Sequence, residues 1–193
     1  MIDPLDLADF EFQKGLGFAR AGDFDSAADA FRNAVDAWPT YGPSHTNLGA
    51  ALAGLGKHRD AIEAFDSAIA IDPNDSSAHF QKGASLQAER ESAAAIPCLL
   101  RAIEIDPGLA EPYFHLGLVH SNAGRLGESL VCLERSVELE PEFSDAWNAL
   151  GAVLLQLKEL KEARAAFEQA LALDPNNADA RARLLYLLAI DCD

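Results

Sequence analysis

The chain is poor in positive charge: 15 lysines and arginines stand against 31 acids, for a net charge of −16 over 193 residues. Such a surface repels phosphate backbones and anionic lipid headgroups, which argues against nucleic-acid and polybasic membrane functions and leaves basic partners or plain solubility. Cysteine is scarce too. Cys98, Cys132 and Cys192 form neither a CxxC pair nor a disulfide framework. No run approaches the roughly 18 apolar residues that a membrane crossing requires. The N-terminal MIDPLDLADF has neither a basic n-region nor an apolar h-region, so a cytoplasmic location is the expectation. β-Branched residues are sparse where alanine and leucine abound, which favours helices over strands.

What the chain does have is a period. Pro39, Pro73, Pro107, Pro141 and Pro175 follow one another at intervals of 34 residues, and so do Gly15, Gly49, Gly83, Gly117 and Gly151. Small residues keep step at Ala27, Ala61, Ala95, Ser129 and Ala163, and again at Ala34, Ala68, Ala102, Ser136 and Ala170. Between them runs a large apolar column of Phe31, Phe65, Leu99, Leu133 and Phe167. Inside each period the apolar spacing is three and four, twice over, with a polar turn between: Leu48, Leu52 and Leu55, then Gly56, then Ala61, Ile62, Phe65 and Ile69. Each period therefore predicts two amphipathic helices that cross at small residues.

This pattern resembles the tetratricopeptide repeat (TPR) family. The resemblance implies an all-α, right-handed α-solenoid of five helix-turn-helix repeats at 8–41, 42–75, 76–109, 110–143 and 144–177. Residues 1–7 are then an N-terminal extension and 178–193 a C-terminal capping helix and tail, of the kind that solvates the end of such stacks.

Catalytic and metal chemistry find little support in the residues. Cys98 and Cys132 occupy one repeat column with Ala30, Ala64 and Ala166, which makes them small packing residues, and Cys192 reads as a free thiol in the tail. His45 and His79 share a column with Glu11, Tyr113 and Trp147, where packing is the simpler reading. His115 and His120 stand five apart on different sides of a helix, and no HExxH or other tight ligand spacing occurs. The DPND, DPGL and DPNN segments lack the spacing, central glycine and terminal glutamate of a calcium loop; turns and helix caps explain them. No cofactor, metal or enzymatic activity is expected. Pro97, well inside the second helix of repeat 3, predicts a kink or a helix start delayed to about Ile96.

The family resemblance implies that the first helix of each repeat lines a concave groove. The groove candidates on that basis are Phe12, Gln13, Leu16, Thr46, Asn47, Phe80, Gln81, Gln87, Phe114, His115, Asn122, Asn148 and Gln156. The phenylalanines would anchor an apolar partner segment, or else pack against the neighbouring first helix; the amides would bond a partner's backbone. The partial amide row is similar to the asparagine ladder of O-linked N-acetylglucosamine transferases. It is unlike the carboxylate clamp of chaperone-binding TPR domains, since of Phe12, Leu16, Asn47, Ser77 and Gln81 at the matching positions only Asn47 fits. The implied function is a non-enzymatic protein-interaction scaffold for a partner protein or peptide that is apolar or basic rather than acidic-tailed. A regulatory or substrate-recruiting segment of a larger enzyme is one alternative, and a self-associating scaffold is another.

Overall fold

Eleven α-helices make up the described part of the chain, residues 3–190 of a computed structural model. Cys192, read above as a tail thiol, lies outside the described residues. The helices are α1 (Pro4–Arg20), α2 (Phe24–Ala37), α3 (Gly42–Gly54), α4 (His58–Ile71), α5 (Ser76–Ala88), α6 (Ser92–Ile105), α7 (Ala110–Asn122), α8 (Leu126–Leu139), α9 (Ser144–Gln156), α10 (Leu160–Leu173) and α11 (Ala178–Ile190). The helices fall in two compact bodies divided between Asp106 and Pro107, and within each body consecutive helices pack on one another, α1 to α6 in the first and α7 to α11 in the second, the consecutive-pair arrangement of a helical solenoid. In the first body α1, α3 and α5 also contact one another in series; in the second, α7, α9 and α11 do the same. Residues 4–7, set apart by the 34-residue period, form the opening turn of α1, which Asp3 caps by accepting from the Leu5 N–H at 3.1 Å.

The glycine column explains how each pair closes. A Cβ built on Gly15, Gly49, Gly83, Gly117 or Gly151 would stand 2.5–2.8 Å from the nearest side-chain atom of Phe31, Phe65, Leu99, Leu133 or Phe167 respectively. Those five large residues are buried to within 1 %. Hydrogen in place of a methyl group lets the ring or branched chain of the second helix seat directly on the first helix's backbone.

The turn inside each pair is a Schellman closure. The N–H groups of Asp23, Lys57, Glu91, Arg125 and Glu159 reach back to the carbonyls of Phe18, Leu52, Leu86, His120 and Leu154 at 2.8–3.0 Å. The residue before each donor has positive φ: Gly22, Gly56 and Gly124, but also Arg90 and Lys158 at 65°. The turn between pairs is set by proline. Trp38, Asp72, Asp106, Glu140 and Asp174 each precede the proline with φ between −140° and −126°, the extended backbone that a following proline ring enforces. Asp72 and Asp174 then accept from the N–H of Asn74 and Asn176, both at 2.9 Å, so the DPND and DPNN segments are Asx turns.

One expectation is corrected here. α6 begins at Ser92, in register with the other second helices, and runs through Pro97 to Ile105; the start is not delayed. Pro97 and Ala93, whose carbonyl lies one turn earlier, both face solvent, so water can take the place of the missing N–H. Ala95, Leu99 and Ala102 meanwhile hold the opposite face in the core.

Candidate functional site

In the second body a cavity of about 390 Å³ opens against α7, α9 and α11. Its floor is apolar, with Phe114, Leu118, Ala149 and Ala152 in front of the buried Leu133 and Val153. Its polar groups are Ser121, Asn122, Asp145, Asn148, Gln156, Asp179 and Arg183. Phe114, Asn122, Asn148 and Gln156 were all groove candidates, and the periodic first-helix positions bring them to one place.

Asn148 sits at the centre of the polar part. Its Nδ2 donates to Asp179 Oδ2 at 3.0 Å, and Arg183 Nε donates to Asp179 Oδ1 at 2.9 Å. These two donors hold the Asp179 carboxyl below its ordinary value, the Arg183 bond contributing most and the Asn148 bond next. The Asn148 Oδ1, shielded from solvent, accepts from no group among the described residues. Asp179 and Arg183 were missed by the sequence reading, which treated the last helix as a cap. The signal was present: they stand 34 residues after Asp145 and Ala149 (179 − 145 and 183 − 149), in the second and sixth columns of the repeat.

Phe114 is only partly available. Its ring packs on Phe143 with centroids 4.9 Å apart, and on the His115 ring edge-on at 5.3 Å. His115 is half-buried and does not line the cavity. Burial pulls its pKa below the ordinary value, with Glu111 opposing.

The candidates in the first body have other commitments. Phe12 packs between Phe31 at 5.7 Å and Tyr41 at 5.5 Å, so much of its ring belongs to the core; Leu16 packs beside it. Thr46 is buried, 7 % exposed, and its hydroxyl donates to Asp75 Oδ2 at 2.6 Å, which leaves it no free group at a surface. Asp75 uses its other oxygen to cap α5 through the Ala78 N–H at 2.9 Å. Asn47 donates to the Pro43 carbonyl at 2.8 Å, and Gln81 to the Ser77 hydroxyl at 2.9 Å, both within their own helices. Phe80 and Gln87 are half-buried, and Gln13 is exposed.

A relation emerges that the sequence reading did not foresee. In three repeats the fifth residue meets the N-cap residue of the next first helix, 29 positions on: Phe12 with Tyr41, Thr46 with Asp75, Phe114 with Phe143. Aromatic meets aromatic and hydroxyl meets carboxylate. The column of His45, His79 and Trp147 likewise proves more than packing. Each ring donates an Nε–H to the repeat proline's carbonyl six residues earlier, at 2.8, 3.1 and 2.9 Å, and Arg181 reaches the Pro175 carbonyl in the same way with its Nη2 group. A carbonyl only accepts, so both histidines carry their proton on Nε2.

Among the described residues no group of three histidine, cysteine or acidic side chains could hold a metal, and no helix is long and apolar enough to cross a membrane. Cys98 and Cys132 are unpaired, and burial pushes both thiols up, away from the reactive thiolate.

The sequence matches the family model described as tetratricopeptide repeat over residues 12–76, 46–110 and 114–178. No protein of curated function matches it. Among solved structures, pilF of Pseudomonas aeruginosa superposes with a TM-score of 0.87 at 20 % identity, covering 97 % of this chain and 86 % of that one. MamA (41-end) of Desulfovibrio magneticus RS-1 gives 0.76 at 24 % identity, covering 90 % and 98 %. YrrB, described as a TPR protein with an unusual peptide-binding site, gives 0.69 at 18 % identity, covering 90 % and 89 %. At these identities the likeness establishes the fold.

Proposed function

Because the chain belongs to the tetratricopeptide repeat family, whose members act as protein-interaction scaffolds, we propose that it is a non-enzymatic scaffold. Its repeats are bounded as the 34-residue period sets them, and it takes a segment of a partner protein in the cavity of its second body. The observation that supports this reading is the convergence of Phe114, Asn148 and Gln156 with Asp145, Asp179 and Arg183 around one apolar-floored cavity. A floor of Leu118, Ala149 and Ala152 suits one or two apolar side chains, and small residues there leave room for a backbone to approach.

The polar groups would sort the partner's orientation. Gln156 and Asn122 are exposed amides that both donate and accept, as a peptide backbone does. Asp145 is an exposed carboxylate with no ion pair among the described residues, so a lysine or arginine flanking the apolar residue would meet it. Arg183 is already engaged by Asp179. An acidic tail would therefore find no free cation here.

Selection of peptides from a random display library on the intact chain tests the reading. Recovered peptides should be apolar with a basic flank, and should bind an Asp145→Asn, Asn148→Ala, Gln156→Ala variant about tenfold more weakly, since a buried hydrogen bond to a charged group contributes on the order of 1.5–3 kcal/mol. Equal affinity for the variant at unchanged melting temperature would remove the cavity from consideration.

A further inference from the structure

A second groove lies on the same body and shares no lining residue with the cavity above. It is formed by α9 and α10, with Glu134 of α8 and Glu159 at the N-cap of α10, and has a volume of about 660 Å³. Its apolar wall is Trp147, Leu150, Leu154 and Ala165. Three carboxylates, Glu134, Glu159 and Glu162, also line it; all three are exposed, and none has a salt bridge among the described residues. Trp147 is fixed in place, because its Nε1 donates to the Pro141 carbonyl at 2.9 Å. The indole therefore offers its face and edge without free rotation.

The repeat architecture provides an internal control. Every lining position of this groove except Glu159 has a counterpart three repeats earlier (147 − 45 = 102), in a groove of about 320 Å³ in the first body. There Arg32 stands for Glu134, His45 for Trp147 and Glu63 for Ala165. Arg32 is itself paired with Asp29 at 2.7 Å. The two sites share their leucines and one acid, Leu48, Leu52 and Asp60 answering to Leu150, Leu154 and Glu162. The first is about half the volume, has a histidine in place of the indole and is mixed in charge, whereas the second is uniformly acidic.

We propose that this outer groove of repeat 5 is a docking site for a basic, apolar segment of a partner protein: a leucine-like side chain against Trp147, Leu150 and Leu154, flanked by lysine or arginine. Charge complementarity selects that occupant. Three unpaired carboxylates around an apolar floor repel acidic segments and favour a cation at each edge, and an indole face adds a further attraction for a cation placed over it. Neither Lys158 nor Lys161, its neighbours in sequence, lines the groove to cancel that field. The inference is independent of the partner cavity proposed above.

Trp147 supplies the readout. In a Trp38→Phe background its fluorescence reports a titration with a short acetylated peptide of Lys-Leu-Leu-Lys repeats, against Lys-Ser-Ser-Lys and Glu-Leu-Leu-Glu peptides of equal length. The lysine–leucine peptide should bind at least tenfold more tightly than either control, and less tightly as salt is raised. Glu134→Gln, Glu159→Gln, Glu162→Gln together should weaken it about tenfold. Ala165→Leu, a substitution at an exposed helix position that fills the groove without altering charge, should abolish the fluorescence change. An Asp9→Asn, Asp25→Asn, Asp36→Asn variant, equal in charge change but far along the chain, should bind as the parent does. Equal weakening by both triple variants would reduce the effect to net charge and overturn the proposal, as would binding that survives Ala165→Leu. Loss of binding only on Asn148→Ala with Gln156→Ala would assign the peptide to the other cavity and equally overturn it.

Discussion

Gly49 lies so close beneath Phe65 that a Cβ on the glycine would stand 2.5 Å from Cε1 of the ring. The ring is fully buried and cannot retreat into solvent. Gly49→Ala should therefore destabilise the protein by about 1–3 kcal/mol, overpacking outweighing the roughly 1 kcal/mol that alanine gains over glycine in a helix. Gly17 is the control: it is exposed inside α1, and a Cβ there meets nothing within 4 Å. Gly17→Ala should stabilise by about 0.5–1 kcal/mol. Urea denaturation of both variants checks the opposite signs.

Arg90 and Lys158 hold φ of 65° at the position that Gly22, Gly56 and Gly124 hold elsewhere. A side chain in that region costs about 1–2 kcal/mol, part of which glycine returns through its freer unfolded chain. Arg90→Gly and Lys158→Gly should each raise stability by about 0.5–1 kcal/mol. Neither side chain forms a salt bridge among the described residues that the change would remove. A fall in the denaturation midpoint of either variant would show that the turn tolerates these residues without strain.

Pro97 leaves one carbonyl of α6 without its helical donor, at a solvent-facing position. Pro97→Ala should add a backbone hydrogen bond and raise stability by about 1–3 kcal/mol, the upper end being the helix-propensity difference between the two residues. Amide exchange at residue 97 would then become measurable, and its protection should match that of the flanking turn.

His115 and His120 share α7, and both titrate below the ordinary 6.5. For His115 burial is the cause, with Glu111 opposing; for His120 burial leads, Arg125 adds to it and Glu128 opposes. A depressed histidine pKa means that the unfolded chain takes up protons first. Stability should accordingly fall as pH drops below about 6.5 and level off once the folded-state values are passed. Asp179 acts in a lower window, since its carboxyl is stabilised in charged form and that contribution disappears only as acid drives it neutral. Denaturation midpoints at pH 7.5 and 5.5 should differ for the parent, and His115→Gln should narrow the gap. An unchanged gap in that variant would assign the acid sensitivity elsewhere.

The helices, their order and their pairing were legible in the 34-residue columns, because each column records one packing constraint repeated five times. Glycine marks where a side chain of the second helix sits on the first, and proline marks where the chain must leave the second helix. Single departures were read less well. Pro97 predicts a kink or a delayed start of α6; the start is not delayed, because the buried face through Ala95, Leu99 and Ala102 fixes it and the lost bond falls on the wet side. Thr46 stands at a groove position of the repeat, but its hydroxyl is buried and donates to Asp75.

The sequence by itself determined the solenoid repeat and which helix face is buried, since periodicity alone fixes which residues share a face. Only the tertiary structure decided which of those faces stay open. Whether a polar side chain points at a partner or at the protein depends on what stands across from it. The 29-residue relation joining Phe12 to Tyr41 and Phe114 to Phe143 lies between helix pairs, where no spacing within one helix reveals it. The same holds for Asp179 and Arg183, which complete a cavity begun by α7 and α9. It holds as well for Glu134 of α8, which joins Glu159 and Glu162 at the start of α10 around Trp147 only after folding.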